Sequence, residues 1–498
     1  MSTAVREGVG FRSERGPVLI ALMLTTGLVA IDATILATAV PSIVADLGGF
    51  SQFPWLFSVY LLAQAASVPV YAKLADTVGR KPIVLIGISL FLVGSILCGF
   101  AWSMPALIAF RVVQGLGAGA VQPMAVTIAG DIYTVAERAK VQGYLASVWA
   151  ISSVVGPTLG GIFSQFTSWR WIFFVNVPLC IIAAWMLIRN FHESIEPRRH
   201  RIDYAGAVLL TAGMSLLILA VLEGGQAWAW NSPQSIGAFV LSGILLITFV
   251  FVERKAAEPI LPLWIFSRRL LVTTTLISLG VGAMLIGLTS YVPTYLEGSI
   301  QAVPVVAGLA VAALTIGWPI SAALSGRFYL RIGFRNTALV GMGVAIIGAV
   351  CLVLTSPHPS VAFVAISCFI VGLGMGLVAT PTLIAAQSSV PWNERGVVTG
   401  TNLFARSIGS SVGVAIFGAI ANAIIAGSPQ GEHDPGTVEA AGSAVFLSVA
   451  IAAILTIGAG LAMPKGRVED IEMARPAAQS GTGDGTGAGE GTAEGTPA

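Results

Sequence analysis

The chain has 498 residues, of which 55% are hydrophobic and only 10% charged, and its mean hydropathy is +0.86. Soluble globular domains carry roughly 25% charged residues, so this composition excludes a soluble fold of such length. The net charge of +2 says nothing either way about nucleic-acid or acidic partners, and no nucleic acid is expected.

A basic lead with Arg6, Arg12 and Arg15 ends near Pro17, where the first apolar run begins. That run is too long for a signal-peptide core and others follow it, so it reads as an uncleaved first helix. Marking apolar runs between charged or turn-rich breaks predicts fourteen membrane helices. They fall near 17–41, 54–72, 83–101, 105–131, 141–165, 171–189, 204–222, 236–252, 270–295, 303–324, 337–355, 361–385, 397–426 and 441–463. Each is about as long as a crossing of ~30 Å of hydrocarbon requires. From Pro464 the chain turns to Gly, Thr and acidic residues with nothing to bury, and a disordered tail is expected over 464–498.

Charge tests the count independently. With the amino terminus inside and the helices alternating, the 26 Lys and Arg residues collect on the inner side except for three. Arg170 falls in an outer connection, and Arg111 and Arg406 lie within helices 4 and 13. One helix too many or too few would scramble this partition. Both termini are therefore expected in the cytoplasm, with the chain embedded in the cell (inner or plasma) membrane.

Cys98, Cys180, Cys351 and Cys368 lie in apolar runs without a CxxC pair, and the four histidines fall in polar connections. No disulfide framework, metal site or cofactor is implied. Gly115-Leu-Gly117-Ala-Gly119 has a nucleotide-loop look but sits inside a membrane helix, and no GxxxxGK[ST] stretch occurs. Asp32 stands a little past the middle of helix 1. An ionised carboxylate there costs several kcal/mol unless paired, hydrated or protonated, which makes it a candidate for proton exchange or an interhelix hydrogen-bonding acid. Arg111 and Arg406 lie at comparable depth, cannot shed their charge, and are candidate partners for Asp32. Asp131, Asp203, Glu223 and Glu297 sit at helix ends and read as interfacial.

In helix 5, Ser152, Gly156 and Gly160 stand four apart and form a small-residue stripe for close helix contact. Gly156-Pro157 removes a backbone hydrogen bond and permits a bend. After helix 2 comes Ala72-Lys-Leu-Ala-Asp76-Thr-Val-Gly79-Arg80-Lys81, and after helix 10 Gly326-Arg-Phe-Tyr-Leu330-Arg331-Ile-Gly333-Phe-Arg335. Both are glycine turns flanked by basic residues, each after the second helix of a six-helix block. Two six-helix halves over 17–189 and 270–463, with two inserted helices over 204–252, is the simplest organisation.

Taken together, four stretches resemble the fourteen-helix drug/proton antiporter family of the major facilitator superfamily. They are Ala72 to Lys81; Arg111-Val-Val-Gln114-Gly115; Gly156-Pro157-Thr-Leu-Gly160-Gly161; and Leu28-Val-Ala-Ile-Asp32-Ala-Thr34 with Pro41. Trp169-Arg170-Trp171-Ile-Phe-Phe-Val-Asn176-Val-Pro178 is similar to that family as well. Ala72, Thr77 and Leu330 depart from its pattern. The resemblance implies an all-α membrane fold and proton-coupled export of amphipathic small molecules by a monomer. It gives Asp32 and Arg111 to proton coupling, to which Arg406 is added from its depth alone, and it agrees with reading Asp76, Gly79, Arg80 and Lys81 as an inner gate. Gly156, Pro157, Gly160 and Gly161 become a motif that helps seal the cavity. A dedicated exporter of one endogenous metabolite, lipid or antibiotic on the same fold is the alternative. A sensor that no longer transports is a third reading, from another class.

Overall fold

The computed structural model describes residues 9–465, apart from 49–51, 53–54, 194–202, 225–227, 257–258, 260 and 428–433. The first half comprises α1 (Gly16–Leu47), α2 (Trp55–Val78), α3 (Arg80–Gly99), α4 (Met104–Ile132), α5 (Val135–Phe166) and α6 (Trp171–Asn190). Then follow α7 (Tyr204–Glu223), α8 (Pro233–Glu253) and α9 (Arg269–Ile300). The run Pro304–Thr355 breaks at Gly333 into α10 (304–332) and α11 (334–355). The chain continues with α12 (Val361–Ser388), α13 (Arg395–Ala426) and α14 (Pro435–Ala462). Among the described residues, twelve helices are long and apolar enough to cross a membrane, counting α10 and α11 as one and leaving out the shorter apolar stretch Ala205–Val221 of α7. Fourteen helices result. The expected tail lies, beyond Lys465, outside the described residues, as do Arg6 and the connection carrying Arg198, Arg199 and Arg201.

Helix ends depart from the apolar runs where a cap takes over from hydropathy. The α5 helix begins at Val135 rather than near 141, because Thr134 and Glu137 form a capping box. This satisfies amide donors that the first turn would otherwise leave open. Pro105, Pro233 and Pro435 sit in the first turns of their helices, where a missing N–H costs nothing.

The two glycine turns are tighter than expected. In place of loops, single residues interrupt otherwise continuous helix: Gly79 at φ 105°, ψ 159° and Gly333 at φ 82°, ψ 165°. Both lie where a side chain is strained, and their near-identical geometry repeats one device in each half.

Two buried apolar cores divide the bundle. Val18, Val84, Met124, Leu145 and Leu187 belong to a core drawn from α1–α6. Ile277, Leu314, Met342, Val371 and Phe446 belong to one drawn from α9–α14. The inserted pair α7–α8 packs along one seam, where Leu210, Met214 and Phe249 meet Val68 of α2 with Leu403 and Phe404 of α13. Across the molecule, α5 meets α10 and α12 through Ala139, Tyr329 and Ile384. Arg170, the exception to the charge partition, is paired with Asp46 at 2.7 Å and also donates to the Ala101 carbonyl. Both side chains are partly solvated, so Arg170→Gln is expected to shift stability by less than about 1 kcal/mol, read as an unchanged melting temperature.

Candidate functional site

The first polar centre is built inside the first half, where α1, α3, α4 and α6 converge. Asp32 and Arg111, each only 1% exposed, pair at 2.6 Å. Burying two charges costs less when further hydrogen bonds hold them, and neighbouring residues supply several. Gln114 accepts from Arg111 at 2.6 Å and donates to Asp32 Oδ1 at 2.7 Å and to Ser95 Oγ at 2.9 Å. Arg111 Nε donates to the Leu56 carbonyl at 3.1 Å, and its guanidinium lies 4.1 Å from the centroid of the Tyr60 ring. Asn176 Nδ2 stands 3.5 Å from both Asp32 Oδ1 and Ser95 Oγ. The Asn176 carbonyl oxygen and the Tyr60 hydroxyl are buried beside the pair without a hydrogen-bond partner among the described residues.

Gln114 was legible in principle, since it follows Arg111 by three positions and so shares its helix face. Asn176 stands in the family-like stretch Trp169 to Pro178, but nothing in the sequence aims it at Asp32.

The second centre lies at the basic end of the bundle. Asp76 closes α2 and accepts from the backbone N–H of Gly396 (2.9 Å) and Val397 (2.7 Å), in the first turn of α13. A helix N-terminus presents open amide donors and a favourable dipole to an anion. Arg80 is fully buried and ties four elements together. It pairs with Asp76 at 2.8 Å and Asp131 at 3.0 Å, donates to the Trp392 carbonyl at 2.5 Å, and stacks 3.7 Å from the Trp392 ring centroid. Asp131 pairs in turn with Arg395 at 2.9 Å. Glu193 accepts from the backbone amides of Arg80 and Lys81, while Lys81 Nζ donates to the Ile188 and Phe191 carbonyls.

Asp131, expected at an interface with water, is instead mostly buried between two arginines. Its position at the end of a helix concealed that Arg395, distant in the chain, arrives beside it. The second half does not mirror this arrangement. Leu330, which occupies the aspartate position, is half exposed. There Tyr329 donates to the Val135 carbonyl, and Arg138 donates to Ser388 at 3.0 Å.

The α5 stripe lies against α1. A Cβ at Gly156 would fall on the Thr34 hydroxyl, and one at Gly160 on the Thr38 hydroxyl and the Ile35 carbonyl, whereas Gly161 faces open space. Thr34 also donates to the Ser152 carbonyl at 2.9 Å. Pro157 is accommodated within a continuous α5. Gly160→Val is therefore expected to cost about 1–3 kcal/mol by overpacking, and Gly161→Ala nearly nothing; thermal unfolding of the two variants checks this contrast.

Arg406 does not join Asp32. It lines a separate small cavity in the second half with Ile277, Ser278, Ala379, Thr382 and Asn402.

The Major Facilitator Superfamily model matches residues 22–414. Multidrug resistance protein 3 of Bacillus subtilis is 37% identical over 403 residues, covering 81% of this chain and 79% of its own length. The multidrug transporter protein MdtP of the same organism is 36% identical over 415 residues, covering 83% and 76%. Among solved structures, the human organic anion transporter MFSD10 superposes with a TM-score of 0.62, covering 88% of this chain and 99% of its own. At 13% identity that likeness concerns the fold alone.

Proposed function

The chain belongs to the major facilitator superfamily, and from that premise we propose that this multi-pass membrane transporter is a proton-coupled antiporter exporting amphipathic organic compounds. In this proposal it works as a monomer in the cell membrane with both termini in the cytoplasm. The observation that carries it is the Asp32–Arg111 pair, sealed at 2.6 Å inside the first half. A structural ion pair can be replaced by apolar side chains without loss. A carboxylate held by one cation and two amides instead offers a position where one proton changes the local charge balance.

Protonation of Asp32 cancels the charge that Arg111 faces and turns one carboxyl oxygen from acceptor into donor. The unpartnered Asn176 carbonyl is an acceptor that an amide rotation brings toward it. Arg111 is then left without a counter-charge and must find water or another acceptor, which strains the α1–α4 contact. The latch at Asp76 and Arg80 fastens the basic end shut, so access from the cytoplasm requires its release. Rocking of the halves about a central cavity would couple the two events.

Purified protein in proteoliposomes with an imposed pH gradient tests this proposal. Dyes from an amphipathic panel should be driven by the gradient, and adding them should release protons in return. Dye movement indifferent to the gradient would refute coupling, and no movement of any compound would refute export.

A further inference from the structure

We propose that Arg406 is the binding site for an oxyanion head group, a carboxylate above all, so that the exported compounds are organic anions rather than cations. The proposal rests on the export assignment and names its substrate class.

The two intramembrane arginines are handled in opposite ways. Arg111 is held by Asp32, Gln114, the Leu56 carbonyl and the Tyr60 ring. Arg406, on α13, has no ion pair and no hydrogen bond among the described residues, and no acidic residue lines its cavity. An arginine cannot discharge itself by losing a proton, so an uncompensated guanidinium within the bundle is costly.

Its neighbours do not offset that cost. Ser278 spends its hydroxyl proton on Asn402 Oδ1 at 2.8 Å, Asn402 donates back to the Val398 carbonyl, and Thr382 donates to the Val378 carbonyl. That leaves Arg406 as the cationic residue among those lining the cavity, beside the apolar Ile277, Val281 and Leu403. A planar guanidinium matches a carboxylate in a two-point contact that a lone ammonium does not provide. The cavity measures about 20 Å3, room for one small group. It fits the head of a ligand, whose apolar body must lie outside it. A cationic head would meet like charge at close range with no carboxylate to receive it.

The test uses 1-naphthaleneacetate and 1-naphthylmethylammonium, which share an aromatic body and differ in the charge of the head. Calorimetry on the full-length protein in phosphatidylcholine nanodiscs should show the acetate binding at least tenfold more tightly. Arg406→Gln should weaken the acetate at least tenfold and the ammonium less than twofold. Arg406→Lys, which keeps the charge and loses the fork, should fall between for the acetate. Equal or reversed preference in the unsubstituted protein overturns the proposal, as does an Arg406→Gln effect alike on both probes, or no binding of either. If Arg406→Gln does not fold, the unsubstituted preference and the Arg406→Lys variant decide. Because binding needs no gradient, the two proposals fail separately. Proton-linked export of the ammonium alone sinks the anion site and leaves export standing. Selective acetate binding without proton-linked flux does the reverse.

Discussion

Asp32→Asn is expected to abolish gradient-driven export, by about 100-fold or more if the carboxyl is the exchanging group, measured as dye flux into proteoliposomes under an imposed pH gradient. The substitution keeps the shape of the side chain and most of its hydrogen bonds to Gln114 and Asn176, and removes the negative charge together with the capacity to take and release a proton. Its second effect is on stability, because it leaves the Arg111 guanidinium buried without its carboxylate 2.6 Å away. Breaking one side of a buried pair costs about 3–5 kcal/mol, whereas replacing both sides is often neutral. The double variant Asp32→Asn/Arg111→Leu should therefore melt well above Asp32→Asn alone while remaining as inactive. That separation of folding from coupling is read from the melting curves, since a double variant that is folded yet inactive shows that loss of the fold is not what stops export. Gradient-driven flux that survives Asp32→Asn would end the assignment of coupling to this residue.

The helix count was legible because a membrane helix satisfies its own backbone hydrogen bonds. Each segment reports on itself, and the lysines and arginines between segments check the total. Contacts between segments follow different rules. That Asp32 needs a partner could be argued from its depth, but Arg111 and Arg406 offered equal depth and the choice lay in how α4 and α13 approach α1. The glycine-centred turns at Gly79 and Gly333 were legible as turns, yet their reduction to a single residue depends on φ, which composition does not reveal. Least accessible were the partners of the Asp76–Arg80 cluster. Asp76 to Lys81 stood out as a charged connection, while Trp392, Arg395 and Gly396 lay in an ordinary polar stretch, and Asp131 was read as a solvated helix end. Their importance arises only when Asp76 meets the first turn of α13, a contact spanning 320 positions.

That contact yields the second large expected effect. Asp76→Asn should open the basic end of the transporter, because its amide reproduces only part of what the carboxylate does. An asparagine oxygen can accept from Gly396 or Val397, but its NH2 group then faces either the other backbone N–H or the Arg80 guanidinium, donor against donor. The favourable charge at the helix N-terminus is lost as well. If these contacts break when this end opens, as the proposed alternating access requires, the penalty acts on the balance between conformations. A loss of about 2.7 kcal/mol is enough to bring a 99:1 preference for the closed state to parity. Nitroxides attached at Val78 and Leu330, both exposed at the basic end, report the separation of the halves when the four native cysteines are replaced by serine. Asp76→Asn should add a population at longer distance. Gly396→Ala should do the same by a different route, since its Cβ would meet Asp76 Oδ1 at 2.6 Å and the Ala72 carbonyl at 2.7 Å. Arg170→Gln, at the opposite end, should leave the distances unchanged. Two chemically unrelated changes converging on one opened state would locate the latch in the Asp76–α13 contact itself. Unchanged distances in both variants would mean that Arg80, through Asp131 and Trp392, holds the end closed without it.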